Sequence, residues 1–313
     1  MTTNGRGEGI PSLNNDWGDD DASGLFNLPT LYPGVNKLIR DQGCVDALAR
    51  HIPMPQLTMI LRKFATGVGA FWVDAMAVKT KDAPSFEPYF LRAEKIAVIV
   101  PFEDQLLEDM DTDLVALVKD DVSGAFVETL DRTYMGYEIS SPFGDSLSGN
   151  TPLDHIVPYG TDVDIVGDIS EAISTVEMHG FDITGMITHK RLKHYLRNLR
   201  DKNIQPIFTQ DLAACNPRER YCVLGIPICF TNQVAADDSP AGYEILMAYF
   251  DYVIIGDRTG LEVYMSREAT LTQGSAEPIN MFEQDMTAYR FVMRKGFVIK
   301  DDNVLAKVTG VPV

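Results

Sequence analysis

Between Phe71 and Glu138 the chain carries two apolar runs and then one long amphipathic stretch, and the other segments fall on either side of them. The first run, Phe71-Trp72-Val73-Asp74-Ala75-Met76-Ala77-Val78-Lys79-Thr80-Lys81, is rich in β-favouring residues, and Asp82-Ala83-Pro84-Ser85 then supplies turn chemistry. The second, Phe86 to Val100, has aromatics at 86, 89 and 90 and a near-continuous apolar end, Ile96-Ala97-Val98-Ile99-Val100. Together they predict a two-stranded arm over residues 71–100, with Pro101 closing its second strand. An isolated hairpin is marginal in water, so an arm this long must lie on its own domain or on another copy of the chain.

Beyond Pro101, Leu107, Met110, Leu114, Val118, Val122, Ala125, Leu130 and Tyr134 recur mostly three or four apart, which places them on one helical face. Glu103 and Asp104 sit where carboxylates favour a helix N-terminus. The spacing predicts a helix over 103–138, on the order of 50 Å long at about 1.5 Å per residue. Gly124 is where a bend is expected.

Residues 1–24 are poor in apolar side chains and by themselves predict disorder. Residues 28–65 read as mixed, with a short helix near Val35–Ala49 among prolines. After the long helix, residues 140–150 form a turn-rich linker into an α/β region. There Asp164–His179 predicts a helix with Ile165, Ile169, Ile173 and Val176 inward, and Phe181–Thr188 a strand. A second helix is expected over His189–Lys202 with Leu192, Tyr195, Leu196 and Leu199 inward, then strands at Cys222–Phe230 and Tyr249–Asp257. Leu261–Ser266, Met281–Lys295 and Gly296–Val308 return to strand character. The fold class is α+β.

The chain has 313 residues, a formal net charge of −18 and 45% hydrophobic residues, enough for a substantial core. Half of that charge lies in residues 103–138, where 11 acids face two bases; a solvated helix face accounts for most of it. A pI near 4.6 argues against nucleic-acid binding as the main activity, since phosphate neutralisation needs a basic face. No signal peptide and no run of 18 apolar residues is present, so a soluble, cytoplasmically made chain and no membrane partner are expected. Four cysteines predict no disulfide framework, and Cys215, Cys222 and Cys229, seven apart, read as small buried hydrophobes. His189 and His194 are five apart, not the four that aligns zinc ligands on a helix. No phosphate loop, nucleophile elbow or Cys/His pattern appears, so no catalytic residue, cofactor or metal is expected. Residues 189–202 hold six bases against one acid; they could meet an acidic neighbour, touch DNA or be a solvated face.

The order of these elements, with Gly24-Leu25-Phe26, the arm, and Ala93-Glu94-Lys95-Ile96-Ala97-Val98-Ile99-Val100-Pro101-Phe102-Glu103-Asp104-Gln105-Leu106-Leu107-Glu108-Asp109, resembles the extended loop and spine helix of tailed-bacteriophage major capsid proteins, the Hong Kong 97-type fold. Leu224-Gly225-Ile226-Pro227, the Gly256-Asp257 turn and Gly260-Leu261-Glu262-Val263 resemble the family's axial domain, and Arg290 with Gly296–Asp301 its closing strands. The resemblance covers about residues 24 to 308. It implies an N-terminal arm (1–34), the start of a peripheral domain (35–66), an extended loop (67–100), a peripheral domain with spine helix (101–145), an axial domain (146–260) and closing peripheral strands (261–313).

The implied function is self-assembly into an icosahedral head shell around double-stranded DNA, located in the virion and, during assembly, in the host cytoplasm. The implied partners are other copies in hexamers and pentamers, a separate scaffolding protein, a portal, decoration proteins, and DNA only non-specifically. An encapsulin-type nanocompartment shares the fold and stands as the alternative; a soluble α/β enzyme is the alternative of another class. Some family members join a lysine of the extended loop to an asparagine of a neighbour with help from a glutamate. Lys79 or Lys81 and Asn280 fall at those places, but Thr287 or Ala288 takes the acid's position, so a shell held without covalent links is expected. A chain starting at Met1 also leaves no room for a scaffold-like leader, hence the expectation of a separate scaffold or none.

Overall fold

Many of the strands that lie side by side in this protein are distant in sequence. The computed structural model describes residues 30–31, 43–66, 70, 72–73, 83–105, 114–138, 140–160, 165–199, 209–210, 221–234, 236–238, 241–272 and 278–312. The first sheet runs, in spatial order, β1 (Thr30–Leu31), β12 (Val253–Ser266), β15 (Met286–Ile299), β4 (Ser85–Glu103) and β3 (Thr58–Thr66), with β2 (Arg50–Pro53) parallel to β12. The second runs β5 (Ile156–Pro158), β16 (Leu305–Val311), β11 (Ala241–Ala248), β6 (Gly185–His189), β9 (Ile226–Thr231), β8 (Tyr221–Val223) and β7 (Thr209–Gln210), with β10 (Ala236–Asp238) beside β11. A ribbon of β13 (Thr270–Leu271) and β14 (Ile279–Asn280) stands apart.

Helix α1 (Cys44–Leu48) is followed by the long α2 (Leu114–Met135), which turns Val122, Phe126, Val127, Leu130, Tyr134 and Met135 onto Leu261, Val263, Phe291, Met293 and Phe297 of the first sheet. The Tyr134 ring stacks on Phe297 at 4.7 Å between centroids. Each such side chain contributes about 1.5–3 kcal/mol by leaving water. The same cluster takes in Ile187, Leu246 and Leu305, so the two sheets share it. On the second sheet's other face, α3 (Ile165–Glu177) buries Ile165, Ile169, Ala172 and Val176, and α4 (Leu192–Arg197) buries Leu192 and Leu196.

The arm departs from the sequence reading. Its first strand is β3, Thr58 to Thr66, not residues 71–81. Trp72 and Val73 carry no strand, and 71 and 74–81 lie outside the described residues. Thr58–Thr66 has apolar residues on both faces, so the alternation that marks a half-buried strand is blurred. Nor does Pro101 end β4, which continues to Glu103 and pairs Pro101 with Ala288. Along residues 93–103 the pairing of β4 with β3 has ended, so this is an edge, where a missing N–H is tolerated.

Helix α2 ends at Met135, three residues before the expected Glu138; Glu103 lies in a strand, Asp104 and Gln105 are helical, and residues 106–113 lie outside the described residues. It runs unbroken through Gly124, and Ala125, expected inward, is exposed while Phe126 takes its place. Residues 222–230 form a hairpin rather than one strand, turning at Leu224 (φ 53°) and Gly225 (φ 82°). Tyr249–Asp257 opens as a short 3-10 turn at Phe250–Tyr252, and Gly256-Asp257 is no turn: β12 continues through it with a register shift between Asp257 and Thr259. Of the closing segment, the end of β12 and all of β15 lie in the first sheet, whereas Leu305–Val311 crosses to the second, between β5 and β11. Hydrophobic pattern gives strand character but not the sheet a strand will join.

The cysteine reading also needs correction. Cys44 and Cys229, both buried and 185 residues apart, form a disulfide between α1 and β9. A pairing over such a distance leaves no spacing signature. Cys222 is half-buried and Cys215 lies outside the described residues.

Candidate assembly surface

The change of partner along β4 makes the arm. Residues Ala93–Glu103 pair with β15 inside the first sheet, whereas Ser85–Arg92 pair only with β3. Eight residues at about 3.4 Å each carry this two-stranded extension roughly 27 Å outward.

Its two faces differ. On one, Met59 faces Leu91 and Leu61 faces Tyr89, and these pack with Met54, Ile254 and Val298, leaving Leu91 fully buried. On the other, Ile60 faces Phe90 and Phe64 faces Phe86, at 59%, 62%, 63% and 55% exposure. The Phe64 and Phe86 rings lie 4.9 Å apart. Four large apolar side chains on one exposed strand-pair face form a patch of the kind that marks an interaction site. Covering them would contribute several kcal/mol, since a full burial is about 1.5–3 kcal/mol each. The Lys63–Glu87 pair, 3.9 Å apart, lies on the Met59–Leu61 face, and Arg92, next beyond Phe90 on the strip's face, bonds Glu94 at 3.0 Å.

The acids near α2 divide by burial. Asp120, Asp121 and Glu128 are exposed, as a solvated face requires. Asp131 is buried, and its carboxylate accepts from the Cys44 N–H at 2.9 Å and the Val45 N–H at 3.2 Å, capping α1. Asp104 accepts from the Thr287 hydroxyl, which also accepts from Arg267 Nε at 3.3 Å. A carboxylate thus stands beside Thr287, supplied from 183 residues away.

Of the residues singled out in the sequence, Lys79 and Lys81 lie outside the described residues. Asn280 is half-buried in β14 opposite Thr270, and Thr287 and Ala288 are buried in β15. The His189 ring stacks on Tyr243 at 4.2 Å, and His194 faces Asn198. Burial, then Arg191 and Lys190, push the His189 imidazole below its usual value. Among the described residues no three His, Cys, Asp or Glu side chains gather to hold a metal. In the basic segment, Lys193 is taken up inside the chain, 4.0 Å above the Tyr221 ring and 5.5 Å from Phe230; Arg200 and Lys202 lie outside the description.

Two buried ionic groups had no sequence signal. Lys295 bonds Asp46 and lies 3.8 Å from Asp257, which His51 holds at 2.8 Å. Glu244 gathers Tyr137, Ser148 and Lys307. Their members come from segments up to 249 residues apart, so only the folded chain reveals them.

An arm with one bare apolar face, a long helix laid across a discontinuous sheet, and a second mixed sheet flanked by helices are together the Hong Kong 97-type capsid fold. The chain belongs to the phage capsid family, whose pattern matches residues 24–310. It is 23% identical over 309 residues to the major capsid protein of Klebsiella oxytoca phage phiKO2, covering 93% of this chain and 69% of that one. Against the major capsid protein of Staphylococcus phage 80alpha it is 24% identical over 288 residues, covering 90% and 83%. A solved structure from Microbacterium phage Oxtober96 superposes with a TM-score of 0.69 at 26% identity, covering 87% of this chain and 91% of that one.

Proposed function

We propose that this chain is the major capsid protein of a tailed phage, assembling with copies of itself into a closed icosahedral shell around double-stranded DNA. The observation that carries this reading, beside family membership, is the strip formed by Ile60, Phe64, Phe86 and Phe90. It is held away from its own core by β4 and needs a second surface to cover it. A neighbouring copy is that surface, because repeated self-contacts close a shell from one gene product.

On this reading the first sheet with α2 is the peripheral domain and the second sheet with α3 and α4 the axial domain around which capsomers form. A portal and decoration proteins are the further partners, with DNA held without sequence preference. The shell is, on this reading, held by non-covalent contacts, since Thr287 or Ala288 stands where the resemblance calls for an acid.

Electron microscopy of the chain expressed with and without a Phe64→Ser/Phe90→Ser variant tests this. Closed particles or capsomers from the natural chain, lost in a variant that keeps its circular dichroism, are expected. Particles formed equally by both would remove the arm from assembly. A ladder of covalent multimers on a denaturing gel of particles would overturn the non-covalent shell.

A further inference from the structure

His155 and His179 meet outside the assembly surface, one before β5 and the other just after α3. His155 is 1% exposed, and its Nδ1 lies 2.7 Å from the Leu305 carbonyl. A carbonyl only accepts, so Nδ1 carries the hydrogen and Nε2 keeps the lone pair. That Nε2 is buried and has no hydrogen-bond partner, an arrangement that costs free energy unless something binds there. The second ring repeats the pattern: His179, an exposed residue, has its Nδ1 3.0 Å from the Thr175 carbonyl, so its Nε2 keeps the lone pair. The two ring centres are 5.0 Å apart, with planes inclined at 54°.

We propose that His155 and His179 form a two-imidazole site for a borderline transition-metal ion such as zinc, held through both Nε2 atoms and completed by water. Three features of the pair match what such an ion requires. Imidazoles that bind metal donate their other ring N–H to a carbonyl or carboxylate, which fixes tautomer and ring orientation, and both rings here do so. Two imidazoles at ~2.0–2.1 Å from one tetrahedral ion put their ring centres about 5 Å apart, the separation observed. The buried Nε2 without a partner is the ligand atom awaiting a bond. The protein would supply two ligands, because no third His, Cys, Asp or Glu among the described residues joins the pair. The ion would tie the segment entering β5 to the end of α3.

The test is equilibrium dialysis of the full-length chain against Zn2+ with Mg2+ in excess, because the hard cation occupies the many surface carboxylates and leaves imidazole to the softer ion. His179→Ala is the decisive variant, since an exposed side chain can be removed without disturbing the core. Zinc held elsewhere is common to both proteins. The natural chain is expected to retain about one more Zn2+ than the variant, with at least about tenfold weaker binding after the substitution. His189→Ala and His194→Ala should bind as the natural chain does. Equal zinc retention by the natural chain and His179→Ala, or loss of the ion in His194→Ala instead, overturns the proposal. Zn2+ should also raise the melting temperature of the natural chain and not that of His179→Ala; an equal rise in both counts against it.

Discussion

Lys307, in the last strand, sets its ammonium 2.8 Å from Glu244 Oε1, and the two meet under the linker that leaves the long helix. Tyr137 donates to Glu244 Oε2 at 2.5 Å and Ser148 at 2.9 Å, while Lys307 also bonds Ser148 Oγ at 2.9 Å. Four side chains from three distant segments thus join the exit of α2 to the second sheet. Removing Lys307 leaves the buried Glu244 without its counter-charge, so Lys307→Met is expected to cost about 3 kcal/mol in urea unfolding, the lower end of the usual range because Tyr137 and Ser148 still donate to the carboxylate. Adding Glu244→Met to it should cost less than the sum of the two single changes.

The same group makes stability depend on acid. Burial pushes the Glu244 carboxyl up, but the bonds from Lys307, Tyr137 and Ser148 outweigh it, and the net displacement is downward from the ordinary 4.5. A carboxylate with a depressed folded value contributes stability that is fully present above the unfolded value and is lost as pH falls through the folded one. Urea midpoints of the natural chain should therefore fall below about pH 4.5, and Glu244→Gln should flatten that part of the profile.

Asp131 caps α1 from across the core, so Asp131→Ala leaves the Cys44 and Val45 N–H groups unpaired in a buried place. A loss of about 1–3 kcal/mol is expected by thermal or chemical unfolding. Glu128→Ala, on the same helix but exposed, should change stability by no more than about 0.5 kcal/mol.

Gly256 lies in β12 where Met54 and Leu91 close over the strand; an added Cβ would meet Met54 Sδ and come within 2.9 Å of Leu91 Cδ2. Gly256→Ala should cost about 1–3 kcal/mol through overpacking. Trimming Met54 to Ala in the same chain should recover part of that loss, which a double-mutant cycle would measure.

The turn between β8 and β9 places Leu224 at φ 53°, a conformation that costs a β-carbon-bearing residue about 1–2 kcal/mol. Leu224→Asn, followed by the existing Gly225, makes the Asn-Gly pair this turn favours. A gain of roughly 0.5–1 kcal/mol in unfolding free energy is expected, and Gly225→Ala, which puts a β-carbon at φ 82°, should lower it by about 1–2 kcal/mol.

What local pattern can encode was legible in the sequence: the apolar periodicity of α2 and α3, the strand character of 86–100 and 253–255, the acidic solvent face, and enough matched order to place the family. Each of these depends on neighbours within a few residues, where period and turn chemistry act. The tertiary structure alone decided that Thr58–Thr66 forms the arm's first strand, that Leu305–Val311 crosses to the second sheet, and that Cys44 meets Cys229. It also decided which charges are buried, since Asp131, Glu244 and Lys295 look no different in sequence from the acids and bases left in water. Pairing of this kind is a choice between distant segments of similar composition, settled by which arrangement buries the most apolar surface while leaving each buried charge a partner.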